Sequence, residues 1–257
     1  AFAFNPPVNL NDNQRRGTVE DDGKIVASGY TDLGGALDNH VFLVRLNADG
    51  TLDDTFGGFS DEPTIPATPG VAVFNPFKVD GGYAEAYASG FQASTSSYVV
   101  VGYGEATARG SMTGSTLGAG YETTIAQDIV LFRVSTGTST GIDTSFANNG
   151  TQAVQSEGQG FPSSQDRGRH LIVLPDERTV VAGLFGEVPA AVVFDANGQP
   201  DTSVFGDGII ELSDPTGTNI EQFYGIALSP DGSRVALSTR NATNNTARLV
   251  VLKFAVN

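Results

Sequence analysis

The segment Asp22-Gly-Lys-Ile-Val-Ala-Ser-Gly-Tyr30 decides the fold, because it joins a tight turn to a short β-forming run and then recurs along the chain. Asp-Gly is a favoured dipeptide for hairpin turns, and Ile25 and Val26 are residues that prefer strands. Three further copies occupy residues 97–103, 176–184 and 231–238. Four copies of one unit predict a repeat architecture.

A second apolar run follows each copy, at residues 41–46, 128–134, 190–194 and 248–254. No part of the sequence shows a sustained helical period with a cap at each end, so the chain is predicted to be all-β. In the first three copies the second run leads to a turn that holds Asp and then Phe. We interpret the Asp as a cap for backbone donors, and we expect the Phe to enter the core.

These residues resemble the delta-60 repeat, a bacterial family whose units are read as propeller blades. The resemblance lies in the Asp-Gly-Lys-Ile-Val segment, the Arg-Leu-Asn-Ala-Asp-Gly segment that ends at Gly50, and the Asp-Thr-Phe ending at Phe56. It covers most of the chain, although the second copy carries a long insertion and the fourth lacks the Asp-Thr-Phe ending. The resemblance implies a β-propeller and no particular activity.

The predicted architecture is a single β-propeller domain over residues 1–257, with repeat units at about 1–69, 70–150, 151–207 and 208–257. Each unit is expected to form a blade of four antiparallel strands, and a sandwich of the same strands is the alternative. The segment Ala1-Phe-Ala-Phe-Asn-Pro6 matches Val71-Ala-Val-Phe-Asn-Pro76, so the N-terminal strand is expected to complete the last blade and close the ring. Residues 57–69 are expected to connect two blades without a strand.

Composition excludes several classes of protein. The chain has 14 Lys plus Arg against 29 Asp plus Glu, a formal charge of −15, and no Cys. Disulfide scaffolds, zinc ribbons and thiol catalysis are therefore excluded, and the net negative field disfavours nucleic acid. No apolar run approaches the about 18 residues of a membrane span. An acidic, cysteine-free chain suits an exported protein, so an extracellular or periplasmic location is predicted.

The densest chemical cluster is Asp166-Arg-Gly-Arg-His170, which leads into the predicted innermost strand of the third blade. It corresponds to residues 13–17, 87–90 and 223–225 in the other blades. Because innermost strands line the channel of a propeller, six side chains are candidates for one anion site: Arg15, Arg16, Arg167, Arg169, His170 and Tyr224. Guanidinium groups bind carboxylate, phosphate or sulfate through paired hydrogen bonds. The alternative is that these arginines pair with Asp and Glu between blades.

A long Gly-, Ser- and Thr-rich insertion, residues 104–127, is the second candidate binding region. Long loops of this kind often bind a ligand. Tyr103, Arg109 and Tyr121 are its candidate contacts, and their chemistry suits a sugar or a peptide. A tolerated surface insertion is the alternative.

Calcium is a possible ligand of the acidic turns. Asp49, Asp53, Asp195 and Asp201 place carboxylates at short spacing, but neither segment completes a calcium loop with its final Glu. Turn and capping roles are the alternative.

No catalytic constellation is evident in the sequence. The chain has two His and no Gly-x-Ser-x-Gly segment. The predicted function is therefore an exported, non-catalytic binding or assembly module for a protein partner or for a small anionic or carbohydrate ligand, with no required cofactor. The alternative is a metal-dependent hydrolase with carboxylates on the propeller axis, as some propeller lactonases and phytases are built.

Overall fold

The computed structural model describes residues 11–32, 39–77, 83–105, 127–137, 141–154, 166–186, 188–212, 220–241 and 246–254. These ranges contain sixteen β-strands and no helix, which confirms the all-β prediction. It follows that the described residues include no helix of the length and apolar character needed to cross a membrane.

Sheet 1 contains five strands, which are β1 (Asn11–Val19), β2 (Ile25–Asp32), β3 (Asn39–Leu46), β4 (Phe59–Ser60) and β5 (Val71–Phe74). Their spatial order is β1-β2-β3-β5-β4. The short β4 pairs in parallel with β5, so the expectation that residues 57–69 lack a strand is wrong. This connection folds back over the sheet because Ile65 packs on Val71 and Val73 in a small apolar cluster.

The other three sheets are antiparallel and follow the chain order. Sheet 2 contains β6 (Tyr83–Gln92), β7 (Ser97–Glu105), β8 (Asp128–Ser135) and β9 (Thr151–Val154). Sheet 3 contains β10 (Arg167–Val173), β11 (Thr179–Phe185), β12 (Val188–Phe194) and β13 (Ile209–Glu211). Sheet 4 contains β14 (Ile220–Leu228), β15 (Arg234–Asn241) and β16 (Ala247–Lys253). Sheets 2 and 3 have the four antiparallel strands predicted for a blade, and the described part of sheet 4 has three.

Successive sheets pack face to face through buried apolar side chains. Phe74 of sheet 1 meets Phe132 of sheet 2 edge to face, with ring centroids 5.3 Å apart. Leu171 and Val181 of sheet 3 pack with Val101 and Leu131 of sheet 2, and a third cluster joins sheets 3 and 4. Burial of each such side chain contributes about 1.5–3 kcal/mol. Four sheets stacked in chain order are consistent with a β-propeller.

The sheets end later than the predicted repeat units. Strands β5, β9 and β13 lie beyond residues 69, 150 and 207, yet each pairs with the strand that precedes those positions. Each of the last three sequence repeats therefore contributes its first strand to the sheet begun by the unit before. The predicted closing strand at residues 1–6 lies outside the described residues.

The Asp that follows the second repeated run caps a backbone donor, as predicted. Asp53 Oδ1 accepts a hydrogen bond from the Thr55 backbone N–H at 3.0 Å, and Asp143 and Asp201 form the same bond. Phe56 and Phe146 are buried.

The prediction that Phe205 also enters the core is wrong, because its side chain is 83% exposed. The third turn has one extra residue between its Asp and its Phe. Val204 consequently takes the position that Phe56 holds in sheet 1 and packs against the core between sheets 3 and 4.

Candidate functional site

A β-bulge interrupts the first strand of every sheet. In β1, Gln14 pairs with Gly29 and Arg16 pairs with Ser28, which leaves Arg15 without a partner in the ladder. The residues skipped in the same way in β6, β10 and β14 are Tyr87, Arg169 and Tyr224. A bulge bends its strand and changes the direction of a side chain. The same irregularity therefore directs one side chain from each of the four sheets.

A glycine on the neighbouring strand makes room for three of these bulges. A Cβ atom on Gly102 of β7 would collide with the carbonyl oxygen of Glu85, and one on Gly183 of β11 would collide with that of Arg167. Gly29 of β2 stands in the same relation to Asn13. The glycine near the end of the repeated segment thus lets the bulged strand approach closely.

The first strands of all four sheets meet around a cavity of about 280 Å³. We call it the central cavity, and its lining residues are Arg15, Arg16, Tyr87, Arg169, Gln222 and Tyr224. All four bulged residues belong to this lining. The structure therefore brings together four of the six residues proposed for the anion site.

Two guanidinium groups of the central cavity stack on one tyrosine ring. Cζ of Arg15 lies 4.7 Å from the ring centroid of Tyr87, and Cζ of Arg169 lies 4.8 Å from it. Arg15 Nη2 also donates to the Tyr30 hydroxyl at 2.9 Å. These contacts fix the direction of both arginines, and they do not neutralise either charge.

Arg16 links sheets 1 and 4, since its Nη2 donates to the backbone carbonyl of Tyr224 at 2.6 Å. Burial lowers the pKa of Arg16 from its usual value. Arg169 Nε donates to Gln222 Oε1 at 2.9 Å. Among the described residues, none of Arg15, Arg16 and Arg169 forms an ion pair with a carboxylate. For Arg16 and Arg169 the alternative of pairing with Asp or Glu between blades finds no support in that part of the chain. Arg15 of sheet 1 forms no ion pair there but is attracted by the buried Glu85 of sheet 2.

Arg167, Tyr103 and His170 lie beside the central cavity and do not line it. Cζ of Arg167 sits 5.1 Å from the Tyr103 ring centroid, and its Nε donates to Gln127 Oε1 at 2.7 Å. His170 Nδ1 accepts a hydrogen bond from the backbone N–H of Ile226, which joins sheets 3 and 4. Burial, together with the charge of Arg16, lowers the pKa of His170 to about 4. The ring is therefore neutral at pH 7 and has a structural role.

A buried polar group lies behind the cavity wall. The hydroxyls of Tyr87 and Tyr103 are 3.3 Å apart, and the carboxyl of Glu85 lies near both. Asn39 Nδ2 donates to Glu85 Oε1 at 2.6 Å. Burial raises the pKa of Glu85, because the surrounding protein disfavours its charged form.

Sequence reasoning missed Tyr87, Gln222 and Glu85 as site residues. Tyr87 was visible only through its alignment with Arg15 and Arg169, because an isolated Tyr in an apolar strand is typical of a core. Gln222 and Glu85 carried no signal. Gln222 lies in an irregular stretch of β14, and Glu85 meets Asn39 and the two tyrosines only through contacts between strands. Arg109 and Tyr121 of the long insertion lie outside the described residues.

The four calcium candidates act in turns and ion pairs. Asp49 and Asp195 accept hydrogen bonds from backbone N–H groups of their own turns. Asp53 pairs with Arg45 and Lys24, and Asp201 pairs with Arg178. Over the described ranges, no three His, Asp or Glu side chains are grouped so as to hold a metal ion. These contacts favour the structural interpretation of the four acids.

The lining of the central cavity also bears on the hydrolase alternative. That alternative requires carboxylates on the axis, and the lining residues are Arg, Tyr and Gln. A carboxylate-bound metal would therefore have no ligands in this wall as it is described.

Comparison with known proteins supports the fold and assigns no activity. The family model described as a domain of unknown function (DUF5122) beta-propeller matches residues 20–56, which include β2, β3 and the Asp53 turn. No curated protein matches the chain. The match supports a β-propeller repeat family, and the delta-60 name remains a resemblance.

Proposed function

We propose that this chain is a β-propeller binding module that holds an anionic group in its central cavity. The observation that supports the proposal is the set of three arginines, Arg15, Arg16 and Arg169, which converge without a carboxylate partner among the described residues. In a chain with a formal charge of −15, acids are abundant, so it is informative that the lining, as far as the structure describes it, contains none.

The energetics favour an anion at this place. Like charges that converge in a partly buried site repel one another, and an anion between them offsets that repulsion. Each hydrogen bond to a charged group contributes about 1.5–3 kcal/mol. Tyr87 already holds Arg15 and Arg169 in position, so less conformational freedom is lost when the ligand binds.

We further propose that the ring has four blades and that residues 1–6 pair with β16. In sheets 2 and 3 the third strand pairs with a fourth, whereas β16 has no such partner in the described part of sheet 4. Leu249 and Val251 of β16 are 68% and 55% exposed. Deletion of residues 1–6 should lower the melting temperature, and an unchanged melt would contradict this pairing.

The setting we propose for the module is outside the cytoplasm, with the acidic, cysteine-free composition as support. Arg15 and Tyr224 are exposed at the cavity. An anionic group attached to a carbohydrate or to a protein partner can therefore reach the site as well as a small free ligand.

Thermal unfolding with and without added anions tests the proposal. At constant ionic strength, a ligand present at about 100 times its dissociation constant stabilises by about 2.7 kcal/mol. The Arg169→Gln variant should lose most of the shift, while the matched variant Arg234→Gln, on β15 outside the cavity, should keep it. Equal shifts in both variants would reject the site, because sulfate and phosphate also stabilise proteins non-specifically.

A further inference from the structure

Three arginines supply most of the polar groups that line the central cavity. Guanidinium groups donate and cannot accept. The acceptor Oε1 of Gln222 is already used by Arg169 Nε, which leaves the amide N–H groups of Gln222 for a ligand. The carbonyl of Tyr224 is likewise used by Arg16. A ligand with O–H or N–H groups finds no carboxylate acceptor in this wall as described.

The charge of the wall favours more than one negative charge on the ligand. Arg15, Arg16 and Arg169 bring three cations to one cavity. The nearest acid considered above, Glu85, is buried behind Tyr87 and Tyr103 and does not line the cavity. A carboxylate supplies a single charge, whereas a dianion interacts with the same three groups about twice as strongly.

The volume of the cavity suits a compact group. A water molecule has a share of about 30 Å³ in the liquid, so a cavity of about 280 Å³ admits a tetrahedral ion together with the first atoms attached to it. The guanidinium groups come from β1 and β10, in two different sheets. Donors that approach from several sides fit a tetrahedral group better than a planar one.

On the basis of the proposed function, we infer that the central cavity binds a fully deprotonated tetrahedral dianion, the chemistry shared by sulfate and a phosphate monoester. Every oxygen of such a group is an acceptor, which complements a wall of donors. Monobasic phosphate is the contrasting case, because it carries one negative charge fewer and its remaining O–H finds no carboxylate acceptor in the wall as described.

Titration calorimetry on the full chain with four sodium salts tests this class of ligand. The salts are sulfate, glycerol phosphate, methyl sulfate and acetate, compared at constant ionic strength and at about pH 8, where a phosphate monoester is a dianion. Methyl sulfate keeps the tetrahedral shape but carries one charge, and acetate is planar. We expect sulfate and glycerol phosphate to bind at least about tenfold more tightly than the other two.

A second arm tests whether the dianion alone binds. A phosphate monoester has its second pKa near 6, so its affinity relative to that of sulfate should fall about tenfold at about pH 5. Taking the ratio of the two ligands cancels the titration of Glu85 and His170, which changes the site equally for both. A ratio that does not change with pH would show that the singly protonated phosphate also binds and would overturn the inference.

Substitutions inside and outside the central cavity test whether the anion binds there. Arg169→Gln should weaken sulfate binding at least about tenfold, with Arg15→Gln as a second variant if the first does not fold, and Arg234→Gln should leave it unchanged. If acetate or methyl sulfate binds as tightly as sulfate, the inferred ligand class is wrong and the proposed anion site stands. If no anion binds the unmodified chain, both are wrong.

Discussion

Two sets of arginines in this molecule differ in the groups that their guanidinium groups contact. At the outer corner of sheet 1, Arg45 Nε donates to Asp53 Oδ2 at 2.7 Å, and at the corner of sheet 2, Arg133 Nε donates to Asp143 Oδ2 at 2.9 Å. We call these the corner arginines. The arginines of the central cavity contact tyrosine rings, a carbonyl and an amide, and among described residues they have no carboxylate partner.

The contacts of the corner arginines indicate a structural role. Arg45 also donates to the Tyr98 hydroxyl of sheet 2, and it lies over the Phe56 ring at 4.9 Å. Arg133 forms similar contacts: its Nη1 donates to Gln92 Oε1, and its guanidinium group lies over the Phe146 ring. Each of the three guanidinium nitrogens of Arg45 and of Arg133 already donates a hydrogen bond within the protein, which leaves little capacity for a ligand. The partner of an arginine, and not its presence, therefore separates the structural role of the corner arginines from the binding role that we propose for the cavity arginines.

The largest predicted effect is at the buried corner. Burial would raise the pKa of Asp53, but hydrogen bonds from Thr55 and the charges of Lys24 and Arg45 lower it to about 2. The carboxylate is therefore ionised throughout the neutral range, and its contribution to stability is lost as the pH falls from the ordinary pKa of 3.8 through about 2. Asp53→Asn leaves Arg45 buried without its counter-ion and should cost about 3–5 kcal/mol in denaturant unfolding.

The control for this prediction is Arg169→Gln, which removes a charge that has no carboxylate partner. Its free energy of unfolding should change by no more than about 1.5 kcal/mol, because the loss of one hydrogen bond and one ring contact is offset by weaker repulsion among the cavity arginines. If both substitutions cost the same, the distinction between the two sets of arginines fails.

A smaller effect is expected from His170, which lies between the central cavity and sheet 4. Folding lowers its pKa from 6.5 to about 4, so the unfolded chain binds the proton more tightly. The contribution of the neutral ring to the free energy of unfolding should thus be fully present above pH 6.5 and be lost as the pH falls to about 4. We expect a loss of about 2 kcal/mol, which is less than the full pKa shift implies because the ring is partly exposed.

The measurement is the free energy of unfolding against pH for the unmodified chain and for His170→Gln. The difference between the two curves isolates His170 from Glu85, whose raised pKa acts in the opposite direction. A flat difference between pH 4 and pH 6.5 would contradict the neutral, structural imidazole.

The sequence predicts the strands well and the cavity only in part, for physical reasons that particular residues show. Strands such as β2 and β11 are local: an apolar run after a turn suffices to place them. Arg15 and Arg169 could be placed on innermost strands by the repeat, but their direction depends on a bulge. The bulge in β1 depends on Gly29 of β2, and the bulge in β10 depends on Gly183 of β11. The repeat contains both glycines, but it does not show that a bulged strand lies against them. The exposed position of Phe205 was likewise hidden, because one added residue in a turn exchanges it with Val204.

The corner of sheet 3, at Asp201, gives the smallest expected effect. It allows a direct comparison with the aspartates Asp53 and Asp143 at the corners of sheets 1 and 2. Val193 of β12 stands where β3 and β8 have Arg45 and Arg133, since all three carbonyls accept the N–H of the corner Asp. The guanidinium comes instead from Arg178, which precedes β11 and reaches Asp201 Oδ2 at 3.3 Å while it also holds Asp176 at 2.8 Å.

Asp201→Asn should therefore cost only about 1 kcal/mol in denaturant unfolding, because Arg178 keeps Asp176 as its counter-ion and is more exposed than Arg45. The double substitution Asp176→Asn and Asp201→Asn removes both carboxylates and should cost more than the sum of the two single changes, since each single variant still pairs the guanidinium. Additive costs would mean that the two carboxylates act independently, and that neither compensates at Arg178 for the loss of the other.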